Sequence, residues 1–469
     1  MATFVEAVKN QEQRTTNGMQ ARLSTSNALV DLFFKIGASR GKDITPAFVA
    51  AYVEDKELAL RIAAWVRDVR GGAGERQLFR DILLHLENSD PDAAMALANK
   101  VPELGRFDDL LVFKTQALKN HAHSLIKTAL ENQNGLAAKW MPRKGDNAVQ
   151  LRNYLGWSPK RYRKTLVSLT KVVETQMCAN DWDNINFSHV PSVASSRYKK
   201  AFARHTDKYA EYIAKLVKGD DPTVKVNASA IYPYEIVKSL GGWQKPTDLE
   251  QKHIVAQWDA LPNYVGDANI LALVDVSGSM SCPAGKSNSV TCMDVALSLG
   301  IYLADKNVGK FKDTFLTFSA KPQLLTLTGN VVQKYEQMSC SDWAMNTDLH
   351  AAFEKILDVA VKGNVPVEEM PQILLILSDM QFDACVKHDD SAIEMITRKY
   401  EDAGYTVPQV VFWNLNSHDN VPVKYNTKGA ALVSGFSPSI MTSVLAADME
   451  DFTPYAIMLQ TIMKDRYAV

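Results

Sequence analysis

The reading of the chain turns on one stretch, Ile270-Leu271-Ala272-Leu273-Val274-Asp275-Val276-Ser277-Gly278-Ser279-Met280. Five consecutive apolar residues form a strand-sized run with no polar alternation, the habit of a strand buried on both faces of a parallel sheet. The run leads into a glycine-relieved loop on which a carboxylate and two hydroxyls alternate. Downstream, apolar strand-like segments at 269–276, 312–319, 323–327, 372–378, 408–415 and 429–433 alternate with helical ones at 293–306, 348–361 and 391–403, followed by two closing helices. The segments at 312–319 and 323–327 are close enough to pair as a hairpin. This alternation predicts a doubly wound, Rossmann-like α/β domain over residues 263–469, with its ligand site at the carboxyl ends of the strands.

Two further polar loops fall at that rim. Ser378-Asp379-Met380 ends a later strand, and Met345-Asn346-Thr347-Asp348 precedes a helix. The sheet therefore lets Asp275, Ser277, Ser279, Thr347 and Asp379 surround one small divalent cation. An all-oxygen donor set suits Mg²⁺ or Mn²⁺ and not zinc. Ligands that are mostly neutral hydroxyls leave the ion electrophilic, with a position free for water or for a carboxylate from a protein partner. Asp294, Asp348 and Asp383 read as helix caps or surface groups, with an outer role around the ion as the alternative. His350 and His388 lack metal-ligand spacing. Five cysteines without a CxxC pair predict free thiols, and Cys282 and Cys292, which bracket the first loop, have no His or Asp placed to activate them. A phosphohydrolase of the haloacid dehalogenase type also starts from a strand ending in Asp, but it needs a second Asp two residues on as acid/base, and Ser277 stands there.

The three polar elements resemble the metal-ion-dependent adhesion site of von Willebrand factor A domains. The DxSxS motif is Asp275, Ser277 and Ser279, the Thr is Thr347 and the Asp is Asp379, and the likeness spans about residues 265–445. It implies a non-enzymatic domain that binds its partner through the cation.

Upstream, residues 18–260 read as one helix after another with short connections. Examples are 28–36, 57–66, 76–86, 109–130, 162–176 and 196–217; Thr45-Pro46, Asp90-Pro91 and Ser158-Pro159 put proline in a first turn. Residues 1–262 are thus expected to form an all-α, HEAT-like helical array, with the possibility of a closed ring. The glycine-rich turn from Arg67 to Arg76 is a candidate anion site through Arg70, Gly71, Gly72, Gly74 and Arg76. An internal turn whose arginines pair with Asp68 or Glu75 is the alternative.

The chain has 469 residues and a net charge of −1, yet residues 1–250 hold 36 basic and 28 acidic side chains while residues 251–469 hold 16 and 25. Within 139–218 there are 16 basic against 6 acidic, interleaved with aromatics. That is the footprint of a polyanion partner, and the candidate phosphate contacts are Lys139, Arg143, Lys144, Arg161, Arg163, Lys164, Arg197, Lys199, Lys200 and Arg204. No apolar run is long enough to span a bilayer, and the first residues lack a secretory pattern, so a cytoplasmic location without membrane contact is expected.

A helical array followed by a metal-binding A domain resembles the TROVE-plus-A-domain layout of the Ro ribonucleoproteins. The whole chain is more similar to an uncharacterised family related to them. The blocks that carry this are Asp68 to Arg76, Gly105 to Leu110, Ala138 to Pro142, Lys199 to Phe202 with Arg204-His205, Asp342 to Asp348, and Val411 to Leu415. In Ro proteins the helices form a ring closed by the A domain; the cavity takes single-stranded RNA ends and the basic outer face takes structured RNA. The resemblance implies an RNA-binding scaffold and not an enzyme. A purely protein-binding adaptor using the cation, and a Mg²⁺-dependent phosphohydrolase or nuclease using Asp275 and Asp379, are the alternatives.

Overall fold

A computed structural model describes residues 12–242, 244–285, 290–318, 322–339, 348–382, 392–418 and 420–469. Thr347, Asp383, His388, Cys340 and Cys385 lie outside the described residues.

The chain separates into two compact units, one of residues 1–42 with 228–464, the other of residues 43–227 with 465–469. The single boundary expected at 262/263 is thus replaced by two discontinuous units.

The first unit is built on a six-stranded mixed sheet. Its strands are β3 (Ile270–Val274), β4 (Thr314–Thr317), β5 (Leu324–Thr326), β6 (Ile373–Ser378), β7 (Gln409–Asn414) and β8 (Ala430–Ser434), in the order β5-β4-β3-β6-β7-β8. All neighbours are parallel except the β4/β5 hairpin. Strands β3, β6 and β8 are buried throughout, as their unbroken apolar runs require. Side chains alternate across the sheet. Val274 meets helix Cys292–Lys306 so closely that a Cβ on Gly300 would lie 2.6 Å from its Cγ2, whereas Leu271, on the other face, lines a small cavity with Ile356 of helix Leu349–Gly363. Helices therefore cover both faces. From β3 the chain passes outward through β4 and β5 on one side and then crosses to β6 on the other, so the strand order reverses between β3 and β6. The crevice at such a switch point is where open α/β sheets bind ligands.

Residues 12–42 belong to this unit. A short hairpin, β1 (Glu12–Arg14) with β2 (Gln20–Arg22), bridges from Arg22 to Val421. Helix Ala28–Ile36 then docks by β8: the Ser434 hydroxyl donates to the Phe33 carbonyl (2.7 Å), and the Asn414 amide donates to that of Phe34 (3.1 Å).

The second unit is all α-helix and 3-10 turns, from Thr45–Glu54 to Lys208–Lys218. Asp90 and Ser158 cap their helices through Ala93 and Arg161 amides, as expected; the helix at Thr45 starts without a side-chain cap. Three expected long helices are broken instead. Residues 109–130 divide into a 3-10 segment, Phe107–Val112, and helix Gln116–Glu131, because the buried Glu87 carboxylate takes the N–H groups of Lys114 and Thr115 at 2.7 and 2.6 Å. Residues 162–176 stop at Thr170, whose hydroxyl donates back to Leu166, and resume at Val173. Residues 196–217 part at Thr206, whose hydroxyl donates to Asp183 (2.6 Å).

The glycine-rich turn is shaped by close approach. A Cβ on Gly72 would fall 1.9 Å from the Trp65 carbonyl oxygen. The amides of Ala73 and Glu75 donate to Trp65 and Val66, and the Arg70 guanidinium donates to the Glu103 carbonyl. These two amides are satisfied inside the turn, while Arg76 is exposed beside Arg80 and Arg106. Gly72→Ala is expected to cost about 2–3 kcal/mol through backbone displacement, read as a lower urea midpoint with unchanged slope.

Candidate metal site and basic surface

Asp275 follows β3 and Asp379 follows β6, and the register Val274↔Leu377 sets the two strand ends side by side. Both carboxylates are fully buried. One oxygen of Asp275 accepts the Ser277 amide (2.9 Å), the other the Ser378 hydroxyl (2.6 Å). That leaves the Ser277 hydroxyl, itself nearly buried, 3.0 Å from the Ser279 hydroxyl. Met380 takes φ +66°, an uncommon conformation for a side-chain-bearing residue, and its amide thereby returns to the Ser378 hydroxyl (3.0 Å). Asp379 Oδ1 accepts the Gln381 amide (3.2 Å), but its buried Oδ2 accepts no hydrogen bond among the described residues; His418 Nε2 is 3.7 Å away.

The electrostatics follow from this crowding. Burial, and then the charge of Asp379, push the Asp275 carboxyl up to about 6. Burial also raises Asp379, opposed by the Ser279 hydroxyl, His418 and the Gln381 amide. Two acids buried in one crevice, one with an oxygen that accepts no hydrogen bond among the described residues, fit a hard cation. Adjacent oxygens on an octahedral Mg²⁺ at 2.0–2.1 Å lie about 3 Å apart, which the two serine hydroxyls match. The structure thus brings four of the expected ligands together, and the fifth, Thr347, falls outside the described residues.

Sequence reasoning passed over Ser378 and His418. Ser378 was findable, being the last residue of β6 and next in register to Asp275. His418 comes from the loop after β7, and nothing in its spacing announces it. Asp294 and Asp348 are helix caps, accepting the amides of Thr291 (2.8 Å) and Ala351 (3.0 Å). His350 lies against Lys399 and Glu354.

From the N-terminal hairpin, the Thr15 hydroxyl donates to the Phe382 carbonyl (2.6 Å), and the Thr16 amide and Asn17 side chain bond Gln381 (both 2.8 Å). Residues at the front of the sequence therefore brace the backbone that follows Asp379.

In the helical unit, Arg143, Lys144, Arg161, Arg163, Lys164, Arg197, Lys200 and Arg204 are exposed and Lys139 is half-buried. Lys199 is a correction: it is only 5% exposed, because Ser192, Ser195, Lys199 and Phe202 share the inward face of helix Ser192–His205. The Arg143 guanidinium is spent on Ala138, Met141 and Thr170 oxygens. Among the interleaved aromatics, Tyr162 and Phe202 are core. Trp157 carries Arg161 at 4.8 Å and Trp182 stacks on His205 at 4.4 Å.

Sheet order and crevice define a doubly wound α/β domain with oxygen donors at its switch point, in a chain that also carries a helical region. Residues 269–462 match the family model described as Domain of unknown function (DUF7788), and residues 15–106 and 134–269 match Domain of unknown function (DUF2828). Uncharacterized protein L728 of Acanthamoeba polyphaga mimivirus is 31% identical across 96% of this chain and 86% of its own length. The chain belongs to the family of that mimiviral protein. Among solved structures, the Ro (RSR) protein of Deinococcus radiodurans aligns with 94% of this chain and 100% of its own at 14% identity and a TM-score of 0.46, a likeness too low to bear on function. No described helix is long and apolar enough to cross a membrane.

Proposed function

We propose that this chain is a non-enzymatic binding protein with two recognition surfaces. Its α/β unit works as a von Willebrand factor A-type domain, in which Asp275, Ser277, Ser279, Asp379 and Thr347 hold Mg²⁺ or Mn²⁺. Its helical unit works as a Ro-like scaffold for RNA. The observation that carries the first part is the hydroxyl pair of Ser277 and Ser279 at the same rim as a buried Asp379 oxygen that accepts no hydrogen bond among the described residues. The ion supplies an electrophilic position for a carboxylate of a protein partner. Position 277, where a phosphohydrolase of the haloacid dehalogenase type needs its acid/base carboxylate, carries a serine hydroxyl.

The RNA reading is supported by the excess of 16 basic over 6 acidic side chains in 139–218 and by the exposure of most of them. Such contacts act through counterion release, so affinity falls steeply with salt. Fluorescence anisotropy with a single-stranded and a hairpin RNA tests this. The expected result is a linear drop in log affinity with log salt, and a loss of at least about tenfold in the Arg161→Glu/Lys200→Glu/Arg204→Glu triple variant. Equal binding by parent and variant removes this surface from the account and leaves the adaptor reading.

A further inference from the structure

The segment after the first polar loop carries a feature that the cation reading does not use. Pro283 and Thr291 pair as an antiparallel bridge, with the Cys292 amide donating to the Cys282 carbonyl (3.0 Å) and the Ala284 amide to the Val290 carbonyl (2.9 Å). Cys282 and Cys292 are therefore directly opposed residues, and in an antiparallel pair opposed Cα atoms lie about 4.5–5.5 Å apart. That separation is within the range a disulfide spans. Their sulfurs are already 3.5 Å apart and both thiols are free.

The two sulfurs have different surroundings. Cys292 is buried, with its thiol directed at the Leu415 carbonyl (3.4 Å). Cys282 is half-buried, and the Asn416 amide donates to its sulfur (3.1 Å). A cavity of about 260 Å³ is lined by Pro283, the next residue in the chain, and by Lys42 and Asn416. Lys42 reaches Asn416 from the same side (2.9 Å). One cysteine is thus partly exposed, and the second is buried directly behind it.

We propose that Cys282 and Cys292 form a reversible dithiol–disulfide site that reacts with hydroperoxides. The Cys282 thiolate attacks the terminal peroxide oxygen; an S–O bond forms, the O–O bond breaks, and the leaving oxygen departs as alcohol or water after taking a proton. The Cys292 sulfur then attacks the sulfenic sulfur. The S–S bond forms, the S–O bond breaks, and the hydroxide leaves as water with the Cys292 proton. Two thiols and one hydroperoxide become one disulfide, one alcohol (or water) and one water. A thiol reductant reverses the change.

Full-length protein treated with graded hydrogen peroxide, alkylated and mapped by mass spectrometry tests this site. Expected are a Cys282–Cys292 linked peptide formed at doses below those that oxidise the exposed Cys178, and its loss on reduction. In Cys292→Ser, dimedone should trap a sulfenic acid at Cys282; in Cys282→Ser, Cys292 should stay reduced. The proposal is overturned if both thiols remain free at doses that oxidise Cys178, or if Cys282 in the parent stops at sulfenic acid without pairing. Neither readout requires the cation or RNA, so failure of the binding reading leaves this test intact.

Discussion

Asp275→Asn is expected to fold at least as well as the parent in chelator and to gain no thermal stability from Mg²⁺. In the ion-free parent, Asp275 and Asp379 are buried charges that raise each other's cost, and the amide removes one of them while keeping the shape. The same change removes one of the two carboxylates around the ion, so Asp379 and neutral hydroxyls no longer offset its charge well enough to hold it at the Mg²⁺ concentrations that saturate the parent. For the parent, Mg²⁺ at a hundred times its dissociation constant adds about 2.7 kcal/mol of stability, because only the folded chain binds it. Thermal unfolding in EDTA and in MgCl₂ reads the difference. An equal rise in midpoint for variant and parent would place the ion elsewhere.

Asp109→Ala is expected to destabilise the helical unit by about 3–5 kcal/mol. Asp109 is fully buried and accepts from Arg67 (2.7 Å), Arg80 (2.7 Å) and the Arg106 amide (3.0 Å). Arg67 is 1% exposed and its Nη1 has no hydrogen-bond partner among the described residues, so loss of Asp109 strands a buried guanidinium. Arg106 in turn lies over the Trp140 ring at 3.4 Å, so the damage reaches the segment carrying the basic surface. Urea unfolding followed by tryptophan fluorescence measures it; a shift below about 1 kcal/mol would mean that the pair is solvated.

The sheet was legible where buried parallel strands are long apolar runs, as in β3 and β6, and the candidate site where chemistry and strand end coincide, at Asp275, Ser277, Ser279 and Asp379. What stayed hidden depended on distant partners. Glu87 breaks the segment at Lys114 and Thr115, and Asp183 takes the hydroxyl of Thr206; neither is visible in local periodicity. Residues 12–42 look like the start of the helical region because the Ala28–Ile36 pattern is helical, and only the bonds to Ser434 and Asn414 assign them to the α/β unit. Lys199 counted as surface charge because the small serines on its helix face disguise that face as polar. The cysteine pair escaped for a related reason: spacing of ten residues means nothing until a bridge between Pro283 and Thr291 makes it a facing pair.

The central claim is that oxygens from the ends of β3 and β6 share one divalent ion. A crystal grown with Mn²⁺ and measured at the manganese absorption edge tests it most directly. The account predicts one anomalous peak within about 2.5 Å of the Ser277 and Ser279 hydroxyl oxygens, with Asp275 and Asp379 bound directly or through water. A well-ordered rim without that peak, at Mn²⁺ concentrations that saturate binding in solution, contradicts it.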